Sequence, residues 1–178
     1  IGKDIINIPD LLLSLQKSLH LFGRYGITMF AISGVEIALW DALGKEKNKP
    51  IHELLGKKNK DLFKAYSSLF RYGDPKIVEQ KCKQSLDDGY QAIKLHEIEN
   101  DCIEAGRKGT GNLPLMLDTN CPWTYEETLA KKDFLKSMKL TWLEEPIYPP
   151  EDYETLSKLN KDLGIPLACG ENACTEFE

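Results

Sequence analysis

After residue 60 the sequence repeats a pattern in which an apolar run is followed by an amphipathic helical segment. The runs start near residues 63, 91, 113, 140 and 165 and read FKAYSSL, QAIKLH, LPLMLD, LTWLEEP and IPLACGE. A period of about 25 residues is typical of βα units, whose parallel strands need a helical crossover. The repeat therefore predicts an α/β fold with five parallel strands.

Residues 1–60 have a different pattern and are predicted to be helical. IPDLLLSLQKSLHLF carries leucines at helical spacing, and KPIHELLG predicts a short helix that ends at Gly56. Between them a helix over residues 28–45 is predicted, buried on most sides and ending at Gly44. Its stretch MFAISGVEIALWDALG contains two acids and is judged too short and too polar for a membrane span.

Charge and cysteine usage exclude several classes of protein. The net charge of −5 gives no electrostatic footprint for a nucleic acid or an anionic membrane. The five cysteines are scattered without a C-x-x-C pair, which favours a reducing compartment over a disulfide framework. The opening IGKDIINIPD lacks the features of a secretory signal. We therefore predict a cytoplasmic protein with no nucleic-acid or membrane partner.

Two architectures accommodate the five βα units. One is a closed (β/α)8 barrel, of which the chain would hold the first five strands. The other is a doubly wound five-stranded sheet, which would be complete at this length. Length alone favours the second architecture, whereas the polar residues at the strand ends favour the first.

The last residues of the runs carry the groups that could do chemistry. Three acids end three successive strands about 26 residues apart, so in a barrel they would converge at one face. Three oxygen ligands with open positions suit Mg²⁺. A lysine and a histidine two residues apart at the end of the second run would supply bases beside the cation. The candidates are Lys94, His96, Asp118, Asn120, Glu144 and Glu171.

The motifs AISGVEIALWDALGK, AIKLH, LMLDTN, WLEEP and ACGEN, in this order and spacing, resemble the mandelate racemase/muconate lactonizing branch of the enolase superfamily. The resemblance covers nearly the whole chain. It implies a TIM-like (β/α)8-type barrel preceded by an α+β capping domain. Residues 1–60 would be the helical remainder of the capping domain, and residues 61–178 would be strands 1–5 of the barrel.

The resemblance also implies roles for the candidate residues. Asp118, Glu144 and Glu171 would bind Mg²⁺, and strand alternation agrees that Glu144 rather than Glu145 is the ligand. Lys94 and His96 would supply acid/base chemistry on one face of the substrate, with His96 where the family usually has a second lysine. Asn120 would hydrogen-bond near the metal or the substrate.

The function implied is Mg²⁺-dependent removal of the α-proton of a carboxylate substrate through a metal-stabilised enediolate. A sugar-acid dehydratase (a lyase) or a racemase or epimerase (an isomerase) would result, acting on a small molecule and expected to form a homo-oligomer. Two alternatives stay open. One is a catalytically incomplete fragment, because the family's second acid/base from later strands has no counterpart here; the other is a doubly wound Mg²⁺-binding signalling domain.

Overall fold

The structure is a computed structural model that describes residues 7–57 and 59–175. The described residues divide into two compact units. One contains the described residues up to Phe63 together with those from Ala173 to Thr175, and the other contains Lys64–Asn172. The assignment of a capping part and a barrel part on either side of residue 60 stays a prediction.

The first unit is helical, as the sequence predicted. Helix α1 spans Ile8–Leu19, and the side chain of Asn7 caps it by accepting a hydrogen bond from the backbone N–H of Asp10. A 3₁₀ turn, His20–Phe22, follows it. Helices α2, Gly26–Lys47, and α3, Ile51–Leu55, complete the described part of this unit.

Two predictions about α2 were wrong. The helix does not end at Gly44 but at Lys47, where Asn48 adopts the left-handed conformation that ends helices. Nor is it buried on most sides, because Ile32, Leu43 and Gly44 are its buried residues and most others are exposed. Helical spacing shows that a residue can face a core, but it does not show how much protein covers that face.

The length of α2 also corrects the prediction that its apolar stretch is too short to span a membrane. The helix has 22 residues, and by length and composition alone it is apolar enough to cross a membrane. The stretch MFAISGVEIALWDALG, predicted to be too short for a membrane span, lies within this longer helix. Core helices of soluble proteins reach the same length and apolarity.

The second unit contains one sheet of five parallel strands in the order β1-β2-β3-β4-β5. A doubly wound sheet reverses its strand order at a switch point, whereas a (β/α)8 barrel adds each strand beside the previous one. The observed order therefore excludes the doubly wound alternative. The strands are β1 (Ser67–Ser68), β2 (Ile93–Leu95), β3 (Leu115–Asp118), β4 (Leu143–Glu144) and β5 (Leu167–Ala168).

Helices connect successive strands at the positions that the repeat predicted. They are α4 (Pro75–Asp87), α5 (Asn100–Thr110), α6 (Tyr125–Ala130), α7 (Lys132–Ser137) and α8 (Tyr153–Leu163). The stretch TYEETLAKKDFLKSM, which reads as one helix, is divided at Lys131 into α6 and α7. A capping box of Thr124 and Glu127 fixes the start of α6.

The core of this unit lies between the sheet and the helices. Val78 and Cys82 of α4 and Ile103 of α5 pack there with Leu115 and Leu117 of β3, all at most 1% exposed. Burial of such side chains stabilises the unit by roughly 1.5–3 kcal/mol each. The core thereby fixes the strands whose carboxyl ends carry the candidate site.

Candidate metal and acid–base site

The predicted residues lie together at the carboxyl ends of the strands. Asp118 pairs in register with Glu144, and Glu144 pairs with Ala168 of β5, three residues before Glu171. Lys94 lies on the neighbouring strand β2, with His96 two residues further on. Parallel strands in sequential order bring these ends to one edge of the sheet, which is why the side chains meet.

Three carboxylates form the centre of the site. One oxygen each from Asp118, Glu144 and Glu171 can be chosen so that all three lie within 4.8 Å of one another. Asp118 is 1% exposed, Glu144 is half-buried and Glu171 is exposed. Burial and the charges of Glu145, Asp118 and Glu144 raise the pKa of Glu171, although Lys94 opposes this. The raised pKa of Glu171 thus reflects first the burial of its carboxylate and second the negative charges around it.

Lys94 joins two of these carboxylates. Its ammonium group donates to Asp118 Oδ2 at 2.8 Å and to Glu144 Oε1 at 3.0 Å. Burial disfavours the charged lysine, but the two hydrogen bonds and the charges of both partners outweigh burial and raise its pKa. Lys94 is therefore held as a cation between the ends of β3 and β4.

His96 is oriented by a backbone carbonyl. Its Nδ1 is hydrogen-bonded to the carbonyl oxygen of Leu69, and its Nε2 lies 3.3 Å from Asp118 Oδ2. Because a carbonyl only accepts hydrogen bonds, Nδ1 must carry a proton. The nitrogen that can take up or release a proton is therefore Nε2, which points toward the carboxylates. Lys94 and His96 share one face of the strand end, as their spacing predicted.

Asn120 is held by two neighbours. Its side-chain nitrogen donates to Asp118 Oδ1 at 3.0 Å, and its Oδ1 accepts from Arg71 Nη2 at 3.3 Å. Arginine is a donor only, so it fixes which end of the amide faces it. Arg71 also donates to the backbone oxygens of His96 and Thr119. It thereby ties the loop after β1 to the ends of β2 and β3.

The two consecutive glutamates of WLEEP contact different groups. Glu144 Oε2 accepts a hydrogen bond from the indole N–H of Trp142 at 2.8 Å, on the face of the candidate site. Glu145 is 3% exposed and contacts Cys121 and the backbone of Glu171 instead. Burial and a hydrogen bond to Glu145 raise the pKa of the Cys121 thiol to about 12.

The sequence analysis did not identify Arg71 and Trp142, which contact candidate residues, or Glu97, which holds the loop after β1. Arg71 is the basic residue of FRYGD, after the first run, and its position just beyond a strand end was the available signal. Glu97 is 2% exposed and accepts hydrogen bonds from the N–H groups of Tyr72 and Gly73. An acid two residues after a buried strand gave the only hint of that role. The donor role of Trp142 had no sequence signal beyond its spacing from Glu144.

The donor set fits a hard divalent cation. Three carboxylates from three strands offer oxygen ligands, which Mg²⁺ prefers, and no cysteine or histidine belongs to the cluster found in the described part of the chain. Lys94 and His96 both contact Asp118 and add groups that can stabilise negative charge and transfer a proton.

Two family models match the chain. The model "Mandelate racemase / muconate lactonizing enzyme, N-terminal domain" matches residues 1–56, and "Enolase C-terminal domain-like" matches residues 78–178. The second match alone covers more than half of the sequence.

Individual proteins of known name and structure are also similar. Arabinonate dehydratase of Saccharolobus solfataricus is 33% identical over 175 residues, which are 92% of this chain and 46% of that protein. The crystal structure of 3,6-anhydro-D-galactonate cycloisomerase from Zobellia galactanivorans superposes on this chain with a TM-score of 0.88 at 27% identity. The superposition covers 97% of this chain and 50% of the cycloisomerase chain.

A racemase from Streptomyces coelicolor A3(2) with bound magnesium has a TM-score of 0.86 at 29% identity, covering 97% and 50% of the two chains. The names of these three proteins describe three different reactions: dehydration, cycloisomerisation and racemisation. The chain spans about half the length of the relatives it matches.

Proposed function

Because the chain belongs to the mandelate racemase/muconate lactonizing enzyme family of the enolase superfamily, we propose that its complete gene product is an enzyme that removes the α-proton of a carboxylate substrate with the help of Mg²⁺. The observation that carries the proposal is the cluster of Asp118, Glu144 and Glu171 in contact with Lys94 and His96. A cation site and a base side by side suit this chemistry.

In the proposal, Asp118, Glu144 and Glu171 hold Mg²⁺ through carboxylate oxygens. When bound, the cation supplies positive charge beside the substrate carboxylate, which makes the neighbouring C–H bond more acidic. The bound magnesium of the S. coelicolor racemase is consistent with this assignment. The indole of Trp142 restrains Glu144, and Asn120 restrains Asp118, so both carboxylates are oriented before the cation arrives.

His96 acts as the base on one face of the substrate. Its Nδ1–H is engaged by Leu69, so the free Nε2 accepts the α-proton, and the electron pair of the C–H bond moves into the carboxylate to give an enediolate. Lys94 stays charged, held by two carboxylates, and supplies electrostatic stabilisation of that anion. Asn120 has a second N–H besides the one that binds Asp118, and this N–H hydrogen-bonds substrate oxygens.

The substrate class is a small hydroxylated carboxylic acid. The printed names of the relatives include an arabinonate dehydratase and a cycloisomerase of an anhydro sugar acid. After α-proton removal, loss of a β-hydroxyl group gives dehydration, whereas return of a proton to the opposite face gives racemisation or epimerisation. We also propose that the protein is cytoplasmic and forms a homo-oligomer.

The cation assignment is tested by calorimetric titration of the complete gene product with Mg²⁺. We expect saturable binding in the wild type and none in Glu144→Gln. The matched control is Glu154→Gln, because Glu154 is an exposed glutamate in the first turn of α8. Equal binding by wild type and Glu144→Gln would exclude the site. A panel of sugar acids in D₂O then tests for exchange of the α-proton by NMR.

A further inference from the structure

The second glutamate of WLEEP has contacts that the proposed reaction does not use. Glu145 follows β4, has φ of 45° and is 3% exposed. A buried carboxylate close to the acids of the candidate site is unfavourable unless its oxygens are hydrogen-bonded. The partners of these oxygens therefore indicate what the residue does.

Both carboxylate oxygens of Glu145 contact the loops of neighbouring strands. Oε1 accepts the backbone N–H of Glu171 at 3.3 Å, in the loop after β5. Oε2 accepts the thiol of Cys121 at 3.4 Å, in the loop after β3. The side chain thus bridges the loops that follow the strands on either side of β4.

The backbone of Glu145 reinforces the same connection. Its carbonyl oxygen accepts the N–H of Cys121 at 2.7 Å and the hydroxyl of Thr119 at 3.0 Å, and its N–H donates to Ala168 at 2.9 Å. Every polar group of the residue is therefore engaged with the end of β3 or of β5. Glu145 lies between the strand ends that carry Asp118 and Glu171.

The contact with Glu171 has the most direct consequence. The two residues that separate Glu171 from β5 are the exposed Cys169 and Gly170, whose φ is 113°. Glycine in this region is conformationally permissive, so the strand alone does not fix the loop. A hydrogen bond to the amide of Glu171 fixes the backbone from which its side chain departs.

We propose that Glu145 is a positioning residue that sets the geometry of the cation site by holding the amide of Glu171 with its carboxylate. The inference rests on the proposed function, because Glu171 matters here as a cation ligand. Residues that orient metal ligands typically contribute 10–100-fold to metal affinity.

The key variant is Glu145→Asp in the complete gene product. It keeps the negative charge but retracts the carboxylate by about 1.5 Å, one C–C bond, which breaks both side-chain contacts. Calorimetry should show Mg²⁺ affinity weakened by roughly 10–100-fold. If charge alone mattered, Glu145→Asp would bind Mg²⁺ as the wild type does, and the inference would be overturned.

The chain offers a matched control in Glu97→Asp. Glu97 is 2% exposed, lies two residues after β2, and also accepts backbone N–H groups, from Tyr72 and Gly73. Neither of these belongs to the loop of a proposed ligand. We expect Glu97→Asp to leave Mg²⁺ affinity unchanged. Equal weakening by both variants would indicate general loosening of the strand ends and would contradict the assignment.

Hydrogen exchange gives a readout that needs no cation. The amide of Glu171 should exchange faster in Glu145→Asp than in the wild type, and at the wild-type rate in Glu97→Asp. If Glu145→Asp does not fold, Cys121→Ala removes one partner of the carboxylate and should weaken Mg²⁺ binding to a smaller extent. Unchanged binding in that variant would overturn the inference.

The two proposals fail in different ways. A wild-type protein that binds no Mg²⁺ refutes the proposed function and this inference with it. A wild type that binds Mg²⁺ and a folded Glu145→Asp that binds it equally well refute only the role of Glu145.

Discussion

His96 shows how one backbone contact decides the chemistry of a side chain. The Leu69 carbonyl selects the tautomer with the proton on Nδ1, and the bare Nε2 then faces the acids of the site. Lys94 differs in that its ammonium is bound by two carboxylates.

The first prediction concerns His96→Asn, which separates the role of His96 as a base from the electrostatic role of Lys94. The variant loses the base, so exchange of the substrate α-proton in D₂O should fall by roughly 10²–10⁴-fold, the usual contribution of general-base catalysis. Mg²⁺ affinity should change little, because no cation ligand is removed. Exchange is measured by proton NMR.

His52→Asn is the control for this substitution. His52 is exposed in α3, far along the chain from the candidate site, and its replacement should leave exchange unaltered. Exchange at the wild-type rate in His96→Asn would show that another group removes the proton.

A second prediction concerns the orientation of Glu144. Trp142→Phe keeps an aromatic ring beside Tyr66, whose ring centroid lies 6.0 Å away, but removes the N–H that binds Glu144 Oε2. We expect Mg²⁺ affinity to fall by about tenfold, the lower end for residues that orient a ligand. Titration calorimetry measures it, and wild-type affinity in the variant would mean that the indole only packs.

At the scale of elements, helices α4 and α5 meet at a position that only glycine can occupy. A Cβ on Gly109 would lie 2.7 Å from the Cβ of Cys82 and 2.8 Å from the backbone oxygen of Glu79. Both distances are well below van der Waals contact, and one of them is to a backbone atom of a helix, which cannot move aside easily. The close approach of the two helices therefore depends on Gly109.

The third prediction follows from this packing. Gly109→Ala should lower the free energy of unfolding by about 1–3 kcal/mol, the usual cost of overpacking. Gly34→Ala in α2 is the same change where no atom lies within 4 Å of the new Cβ, and it should stabilise by about 0.5–1 kcal/mol. Urea unfolding measures both. A neutral Gly109→Ala would show that the helices can separate at small cost.

The sequence predicted the βα units and the residues that end each strand, because both depend on local periodicity. Strand alternation also assigned Glu144 and Glu145 to opposite faces. The exposure of α2 was missed, because it depends on which surfaces are covered in three dimensions. The division at Lys131 was also missed. The roles of Arg71 and Glu97 were missed because their partners come from other strands.

At the scale of the whole molecule, the site couples cation binding to stability. Three carboxylates within 4.8 Å repel one another, and the ammonium group of Lys94 compensates only part of this charge. A cation that binds the folded state and not the unfolded chain shifts the folding equilibrium by mass action. The chain spans about half the length of its relatives, so such measurements use the complete gene product.

The fourth prediction is that Mg²⁺ raises the melting temperature. At a concentration of about 100 times Kd, the gain in unfolding free energy should be about 2.7 kcal/mol. Glu171→Gln should lose most of this gain, whereas Glu154→Gln should retain it. Thermal unfolding with and without Mg²⁺ provides the comparison, and equal gains in all three proteins would place the cation elsewhere.

The proposed cation site is tested most directly by a crystal structure of the complete gene product grown with Mn²⁺ in place of Mg²⁺. The anomalous signal of Mn²⁺ locates the cation without reference to any assumed ligand. We expect a peak bonded to one carboxylate oxygen each from Asp118, Glu144 and Glu171. A peak at other residues, or none at these carboxylates in a well-ordered crystal, would contradict the proposed site and the function derived from it.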